Sequence, residues 1–116
     1  MFASEVWLKL PGYHQFLIDA LIDTGSASSY ILKALVPPSA IIPLPKKVPI
    51  YYANNKSSVM THYCIIKIAL GKAIFPIAVY IHDQQNCDLL IGNDVLLHLL
   101  PLTIHPNKQI TFTFNH

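Results

Sequence analysis

The apolar runs of this sequence are short, rich in β-branched and aromatic residues, and separated by proline, glycine and asparagine. This pattern is typical of an all-β domain, because short strands alternate there with tight turns. The chain contains no internal repeat that would indicate a solenoid or propeller. The pattern predicts strands at residues 5–10, 14–22, 29–32, 48–52, 59–70, 73–81, 88–91 and 109–114.

Proline, glycine and asparagine also predict how these strands are connected. Turns are expected at Pro11-Gly12, at Gly71-Lys72 and at a hairpin tip formed by Asn54-Asn55-Lys56. Residues 36–49 hold so many prolines that they predict an extended surface connection rather than a paired interior strand. One short helix is predicted at 94–99, with Asn93 or Asp94 as its cap and Pro101 ending it.

Length and composition restrict the class of protein. The 116 residues suit a single domain, 1–116. With 53% hydrophobic and only 12% charged residues, the chain is expected to cover part of its surface with a partner. No apolar run approaches the ~20 residues that a membrane helix needs. No basic-then-apolar leader is visible, so we expect a protein that is not secreted and does not bind a membrane.

Charge and cysteine usage exclude several kinds of site. The eight basic residues are all lysines and are mostly scattered, whereas nucleic-acid surfaces cluster basic residues and favour arginine. Cys64 and Cys87 form no CxxC pair and are expected to be reduced and buried, although the sequence leaves a disulfide open. His62 lies two residues before Cys64, but Cys87, His98 and His105 are distant, so no zinc spacing is met. We expect neither a metal nor a cofactor.

The residues that carry chemistry are Asp23-Thr24-Gly25-Ser26, which directly follow the apolar run 17–22. Asp-Thr-Gly alone is also common at turns and helix caps. Here, however, the carboxylate emerges from a core strand, and Gly25 permits close approach of a ligand backbone. The Ser26 hydroxyl is expected to hydrogen-bond the outer oxygen of Asp23. Because the motif occurs once, an acid–base site built on it would be half a site that a second molecule completes.

Three segments of this chain resemble the retroviral-type (retropepsin-like) aspartic proteases. Residues 20–28 resemble the catalytic strand and loop, 51–57 the flap hairpin, and 89–96 the apolar-apolar-glycine strand with the short helix that closes each subunit. Their order and spacing span nearly the whole chain. Within the family, residues 75–80 and 91–93 are most similar to the enzymes of plant pararetroviruses (caulimovirus, badnavirus and tungrovirus), whose protease is one segment of a polyprotein that also carries reverse transcriptase.

The resemblance implies a fold and an activity. The fold would be a closed all-β half-barrel with a flap hairpin and one short helix near the C-terminus. Two chains would form a homodimer whose paired Asp23 carboxylates activate water to cleave a viral polyprotein. Thr24 would hold the two carboxylates apart at a fixed distance, and the Gly25 carbonyl would face the substrate. The substrate-binding residues implied are Ala27, Tyr52, Ala53, Asn54 and Asn55. No metal or cofactor is implied, and the location would be the host cytoplasm or the assembling virus particle.

The sequence departs from the family pattern at two places. Retroviral enzymes commonly carry an arginine after the second glycine, paired with an aspartate after the catalytic loop, whereas this chain has Asn93 and Ala27. Both partners are replaced together, so no unpaired charge remains, but a weaker dimer is expected. The flap tip also lacks the usual glycines.

Two other functions compete with this one. A Ser-His-Asp hydrolase is disfavoured because Ser26 does not lie in a Gly-x-Ser-x-Gly turn. A catalytically weak or inactive module of the same fold, which only dimerises or holds peptides, remains the alternative, because a fold does not fix a function.

Overall fold

The computed structural model describes residues 2–51, 57–70, 73–83, 85–97, 102–104 and 110–112. The strands are β1 (Phe2–Lys9), β2 (Phe16–Ile22), β3 (Tyr30–Leu32), β4 (Ile42–Tyr51), β5 (Ser57–Leu70), β6 (Ala73–His82), β7 (Leu89–Ile91), β8 (Leu102–Ile104) and β9 (Ile110–Phe112). Short 3-10 turns lie at Lys33–Leu35 and Pro38–Ala40, and the helix α1 at Asn93–Leu96. Within this part of the chain, no helix has the length and apolar character needed to span a bilayer.

Six strands close into a barrel in the order β1-β2-β7-β3-β6-β5, and β5 returns to β1. The closing pairs are Trp7 with Ala69, Leu8 with Ile68 and Lys9 with Lys67. Because β1 and β5 pair with each other there, neither leaves an open edge at that point to which a strand of another chain could pair. The predicted closed all-β half-barrel is confirmed.

The interior of the barrel is filled by alternate residues of each strand, as the two-residue repeat of a strand requires. On β1, Val6 and Leu8 are buried while their neighbours are exposed, and on β5 the buried residues include Ile66 and Ile68. β2 and β7 contribute further fully buried side chains to the same core, namely Ala20, Ile22, Leu89 and Ile91. The two strands that lead to the Asp-Thr-Gly motif and to the second glycine are therefore anchored in the core.

The predicted connection 36–49 is wrong in its second half. β4 begins at Ile42, within that connection, and pairs antiparallel with β5. Prolines are tolerated because β4 is the outermost strand of the sheet and its register shifts between Pro43 and Val48. Beyond this irregularity the pairing resumes and continues to Tyr51 opposite Ser57. The two strands thus form the arms of a hairpin that projects past the barrel.

The short helix lies where it was predicted, but its cap differs. α1 begins at Asn93, with Gly92 as the N-cap residue and no side-chain hydrogen bond at the cap. The expected caps, Asn93 and Asp94, lie inside the helix instead. The predicted end at 99 and the stop at Pro101 fall outside the described residues.

The remaining strand predictions differ mainly at their ends. Near the C-terminus, β9 falls within the predicted strand 109–114, whereas its partner β8 was not predicted. The predicted turn at Gly71-Lys72 and the tip at 54–56 lie outside the described residues. Elsewhere, strand ends differ from the prediction by two or three residues at most, apart from β4.

Both cysteines are free thiols. Cys64 is fully buried on β5, and burial raises the pKa of its thiol to about 11. Cys87 is partly exposed, and burial, followed by the negative charge of Asp88, raises the pKa of its thiol as well. Because the thiolate is the reactive form, both groups are poor nucleophiles at neutral pH.

Thiol titration tests this arrangement. With a chromogenic thiol reagent at neutral pH, Cys87 of the folded protein should react slowly. Cys64 should react only after denaturant is added. The physical reason is that Cys64 is both inaccessible and protonated. Modification of two thiols in the folded protein would contradict the placement of Cys64 in the core, and Cys64→Ser should leave the slow reaction of Cys87 in the folded protein unchanged.

Candidate active site

Asp23 lies at the point where the core strand β2 becomes a loop. Its backbone N–H donates to the Ile91 carbonyl of β7 at 2.9 Å, which extends the parallel pairing of the two strands by one bond. The Asp23 carboxylate is half-buried and accepts a hydrogen bond from the Gly25 N–H at 2.9 Å. Its carbonyl accepts a bond from the Ser26 N–H at 3.2 Å. The carboxylate is therefore held by a tight turn at the end of a rigid strand.

Gly92 crosses this loop more closely than any side chain would permit. A Cβ atom at Gly92 would lie 2.3 Å from the Ser28 carbonyl oxygen and 2.7 Å from that of Ser26. Real Cβ atoms do not approach backbone oxygens to such distances, because the repulsion is too steep. At Gly25 the constraint is milder, since a Cβ would lie 3.1 Å from the Asp23 Oδ1 atom. Glycine at 92 is thus needed for the loop to pack on β7.

Hydrogen bonds from the start of α1 fix the loop's carbonyl groups. The backbone N–H of Asn93 donates to the Ser26 carbonyl at 2.8 Å, and that of Asp94 donates to the Ala27 carbonyl at 3.2 Å. The Asn93 side chain adds a third bond, from Nδ2 to the Thr24 carbonyl at 2.6 Å. Asn93, at the position where the family resemblance implies an arginine, therefore holds the backbone of the Asp23 loop directly.

Ser29 and Asp94 form a partly buried polar link between the loop and the helix. The Ser29 side chain is fully buried and accepts a hydrogen bond from the Gly92 N–H at 2.9 Å. Its hydroxyl donates to Asp94 Oδ1 at 2.5 Å, and its backbone N–H donates to Asp94 Oδ2 at 3.0 Å. Each carboxylate oxygen of Asp94 thus accepts one hydrogen bond, and a charged acceptor makes such bonds stronger than those between neutral groups. Sequence reasoning missed this link, because residues 65 apart in the chain gave no signal of contact.

The Ser26 hydroxyl does not contact Asp23 as expected. It donates to the Ser28 carbonyl at 2.8 Å, within the loop itself. A hydroxyl has a single proton to donate, so the Ser26 hydroxyl stabilises the conformation of the loop and does not donate to Asp23. Thr24, Gly25 and Ala27 are exposed on the same loop, where a second molecule can reach them.

A cavity of about 420 Å³ opens beside the loop. Ser28 and Asp94 line it on the loop side, and Leu44 and Pro45, from the irregular part of β4, line the opposite side. The walls from β5 and β6 are formed by Tyr63, Ala78, Val79 and Tyr80. Sequence reasoning did not predict that these residues line one cavity, because β4, β5 and β6 bring them together from distant parts of the chain.

The predicted flap contacts cannot be compared with the structure. Tyr52, Ala53, Asn54 and Asn55 lie outside the described residues, although the strand arms on either side pair as a hairpin. Tyr51, at the end of one arm, is 79% exposed and does not line the cavity.

Among the residues that are described, no group of three or more histidine, cysteine, aspartate or glutamate side chains could hold a metal. His62, one member of the zinc alternative, is exposed and its Nδ1 lies 2.7 Å from the Thr61 hydroxyl. Cys64 is buried in the barrel.

Comparison with known proteins gives both a sequence relative and structural neighbours. No family model matches the chain. A curated relative is the enzymatic polyprotein of Carnation etched ring virus, which is 31% identical over 111 residues. The match covers 88% of this chain but spans only 17% of the length of that polyprotein.

A solved structure, the retroviral protease-like domain of Ddi1 from Leishmania major, superposes with a TM-score of 0.52 and 18% identity. That match covers 100% of this chain and 96% of the other. The chain has the retropepsin-like fold. A protein of unknown function (DUF785) from Legionella pneumophila shares the fold, with a TM-score of 0.52, 16% identity, and coverage of 83% and 84% of the two chains.

The loop that carries Asp23 and the second glycine meet in this fold. Gly92 packs against the loop, and α1 follows directly. At positions 27 and 93, where the resemblance implies a charge pair, the structure instead has hydrogen bonds to backbone carbonyls.

Gly92→Ala should be among the most damaging single substitutions in the chain. The added methyl group would collide with two backbone carbonyls that cannot move independently, so we expect a loss of about 3 kcal/mol or more in the free energy of unfolding. Thermal or urea unfolding measures this loss.

Gly12→Ala is the matched control. Gly12 adopts a φ of 80° but has open space around its missing Cβ, so only backbone strain of about 1–2 kcal/mol is expected. Equal effects of the two substitutions would show that Gly92 is not packed as described.

Proposed function

We propose that this chain is an aspartic endopeptidase that cleaves a viral polyprotein, and that two copies supply its catalytic pair. The single observation that carries the proposal is the setting of Asp23. Its carboxylate is presented at the end of a core strand, on a loop whose carbonyls are held by Asn93 and Asp94. Positioned groups of this kind lower a reaction barrier, because orientation is already fixed before the substrate binds.

The single chain offers half of an acid–base site. Its sequence contains one Asp-Thr-Gly motif. In the proposed homodimer, the exposed loops of two copies meet, so that the two Asp23 carboxylates come within hydrogen-bonding distance. Two such carboxylates do not both ionise easily and therefore share one proton, as is known for aspartic proteases in general.

The proposed reaction is general acid–base hydrolysis of a peptide bond. The ionised carboxylate takes a proton from a water molecule between the pair, while the protonated one donates a hydrogen bond to the scissile carbonyl. Water attacks the carbonyl carbon, and the tetrahedral species collapses as a proton passes to the leaving amine. Thr24 is proposed to fix the separation of the carboxylates across the two-fold axis, and the Gly25 carbonyl to face the substrate.

The proposed substrate is an extended segment of the polyprotein that contains the domain. The polyprotein of the sequence relative supports this choice, because this chain matches a segment of a much longer viral protein. The hairpin of β4 and β5 is proposed to close over the peptide and exclude water. The cavity between Ser28 and Pro45 is suited to one apolar side chain of such a peptide, since its walls carry leucine, valine and alanine.

Replacing Asp23 tests the activity. Asp23→Asn should abolish cleavage of a fragment of the adjoining polyprotein, because a carboxamide cannot take a proton from water. The fall should be at least about 10³-fold, as is usual when a group of the reacting set is removed. Mass spectrometry of the fragments measures it.

Asp83→Asn is the matched control for this substitution. Asp83 is an exposed carboxylate whose only described ion pair is a 3.9 Å contact with Lys33, so this variant should cleave like the parent. Cleavage that survives in Asp23→Asn would rule out the proposed mechanism. Peptide binding without cleavage by the parent would instead favour the inactive module.

Dilution tests the proposed dimer. Well below the dimer dissociation constant, the concentration of dimer varies as the square of total protein, so twofold dilution should lower the cleavage rate about fourfold. Without the arginine–aspartate pair, this regime should lie at experimentally accessible concentrations. A rate that stays proportional to protein concentration, from a species sedimenting as a monomer, would contradict the shared site.

A further inference from the structure

The outer face of the barrel carries an apolar row that runs across four neighbouring strands. Trp7 on β1 lies directly opposite Leu17 on β2 and, on its other side, opposite Ala69 on β5. Ala69 in turn lies opposite Ile74 on β6. Trp7, Leu17 and Ile74 are 50%, 47% and 62% exposed. We call these four residues the outer row; large apolar side chains side by side on a surface mark an interaction site.

Charged residues flank the outer row, with opposite signs on its two sides. On one side Glu5 lies opposite Asp19, and on the other side Lys9 lies opposite Lys67. All four residues are exposed. Like charges directly opposite each other on neighbouring strands repel, so neither pair is explained by the stability of the single chain. Each pair is two residues from the outer row along β1, which separates the two pairs by about 13 Å.

We propose that the outer row binds a second copy of this chain through a two-fold contact. The charge pattern is self-complementary: a two-fold axis lying along the row turns the acidic pair of each copy toward the lysine pair of the other. The same rotation packs the two Trp7 side chains and their neighbours against each other. Such an isologous contact needs one surface that carries both charge signs, which is what this face presents.

This contact is separate from the proposed active-site dimer and does not depend on it. Leu17 precedes Asp23 by six residues, so the outer row lies about 20 Å along β2 from the catalytic loop. It faces away from the barrel interior, since Val6 and Leu8, the neighbours of Trp7, are buried in the core. Both contacts can form at once, which would assemble species larger than a dimer.

The chain's single tryptophan makes the proposal directly measurable. Trp7 emission should shift to shorter wavelength as protein concentration rises, in step with an increase in mass by sedimentation. Association at the Asp23 end of β2 leaves Trp7 in water, so the emission separates the two contacts. The same shift should occur in Asp23→Asn. Emission that stays unchanged while the mass increases would overturn the proposal, as would a parent protein that shows neither change.

Charge reversal supplies the matched variants. K9E/K67E makes both flanks acidic and should lose the emission shift, whereas E5K/D19K/K9E/K67E inverts both flanks and should regain it. A 1:1 mixture of E5K/D19K with K9E/K67E should show the shift at concentrations where neither variant does alone. Circular dichroism confirms that each variant is folded, and each keeps like charges opposite each other. Equal emission curves for K9E/K67E and the fourfold variant would overturn the proposal.

Discussion

The structure depends on the close approach of Gly92 to the loop that carries Asp23. Two loop carbonyls occupy the space that a side chain at this position would fill. Because β7 and β2 pair in the core immediately before this point, the approach ties the loop to the most rigid part of the barrel. The helix α1 begins at the next residue. The close approach of Gly92 therefore also brings the first backbone N–H groups of α1 within hydrogen-bonding distance of the loop carbonyls.

The packing of Gly92 against the loop explains how a small domain holds the Asp23 carboxylate at the end of a strand and outside the apolar core. The loop's polar groups are satisfied by backbone N–H groups, by Asn93 and by the hydrogen bonds between the buried Ser29 and Asp94. Satisfied buried polar groups specify one conformation, because any alternative leaves a donor or acceptor unpaired. Asp23 is therefore held in place while Thr24 and Gly25 stay exposed. This geometry is compatible with the proposed half-site.

Sequence patterns predicted the elements that depend on local periodicity. They missed the features that depend on contacts between residues distant in the chain. The core strands, the short helix and the loop position of Asp23 follow from alternation and from glycine placement, and the structure confirms them. The first half of β4 was missed because its prolines argue against pairing, and its place at the sheet edge permits them, whereas residues 48–51 fall within the predicted strand 48–52. The roles of Ser29 and Asp94 were missed because a hydrogen bond between residues 65 apart leaves no periodic trace in the chain.

The central claim is that each active site takes one Asp23 from each of two copies. Mixing tests it most directly: parent protein, at a fixed concentration above its dimer dissociation constant and with saturating polyprotein fragment, receives a tenfold excess of Asp23→Asn. The account predicts that the cleavage rate falls about tenfold, because nearly all parent chains enter mixed dimers that hold one carboxylate. An unchanged rate would contradict it, since each chain would then carry a complete site.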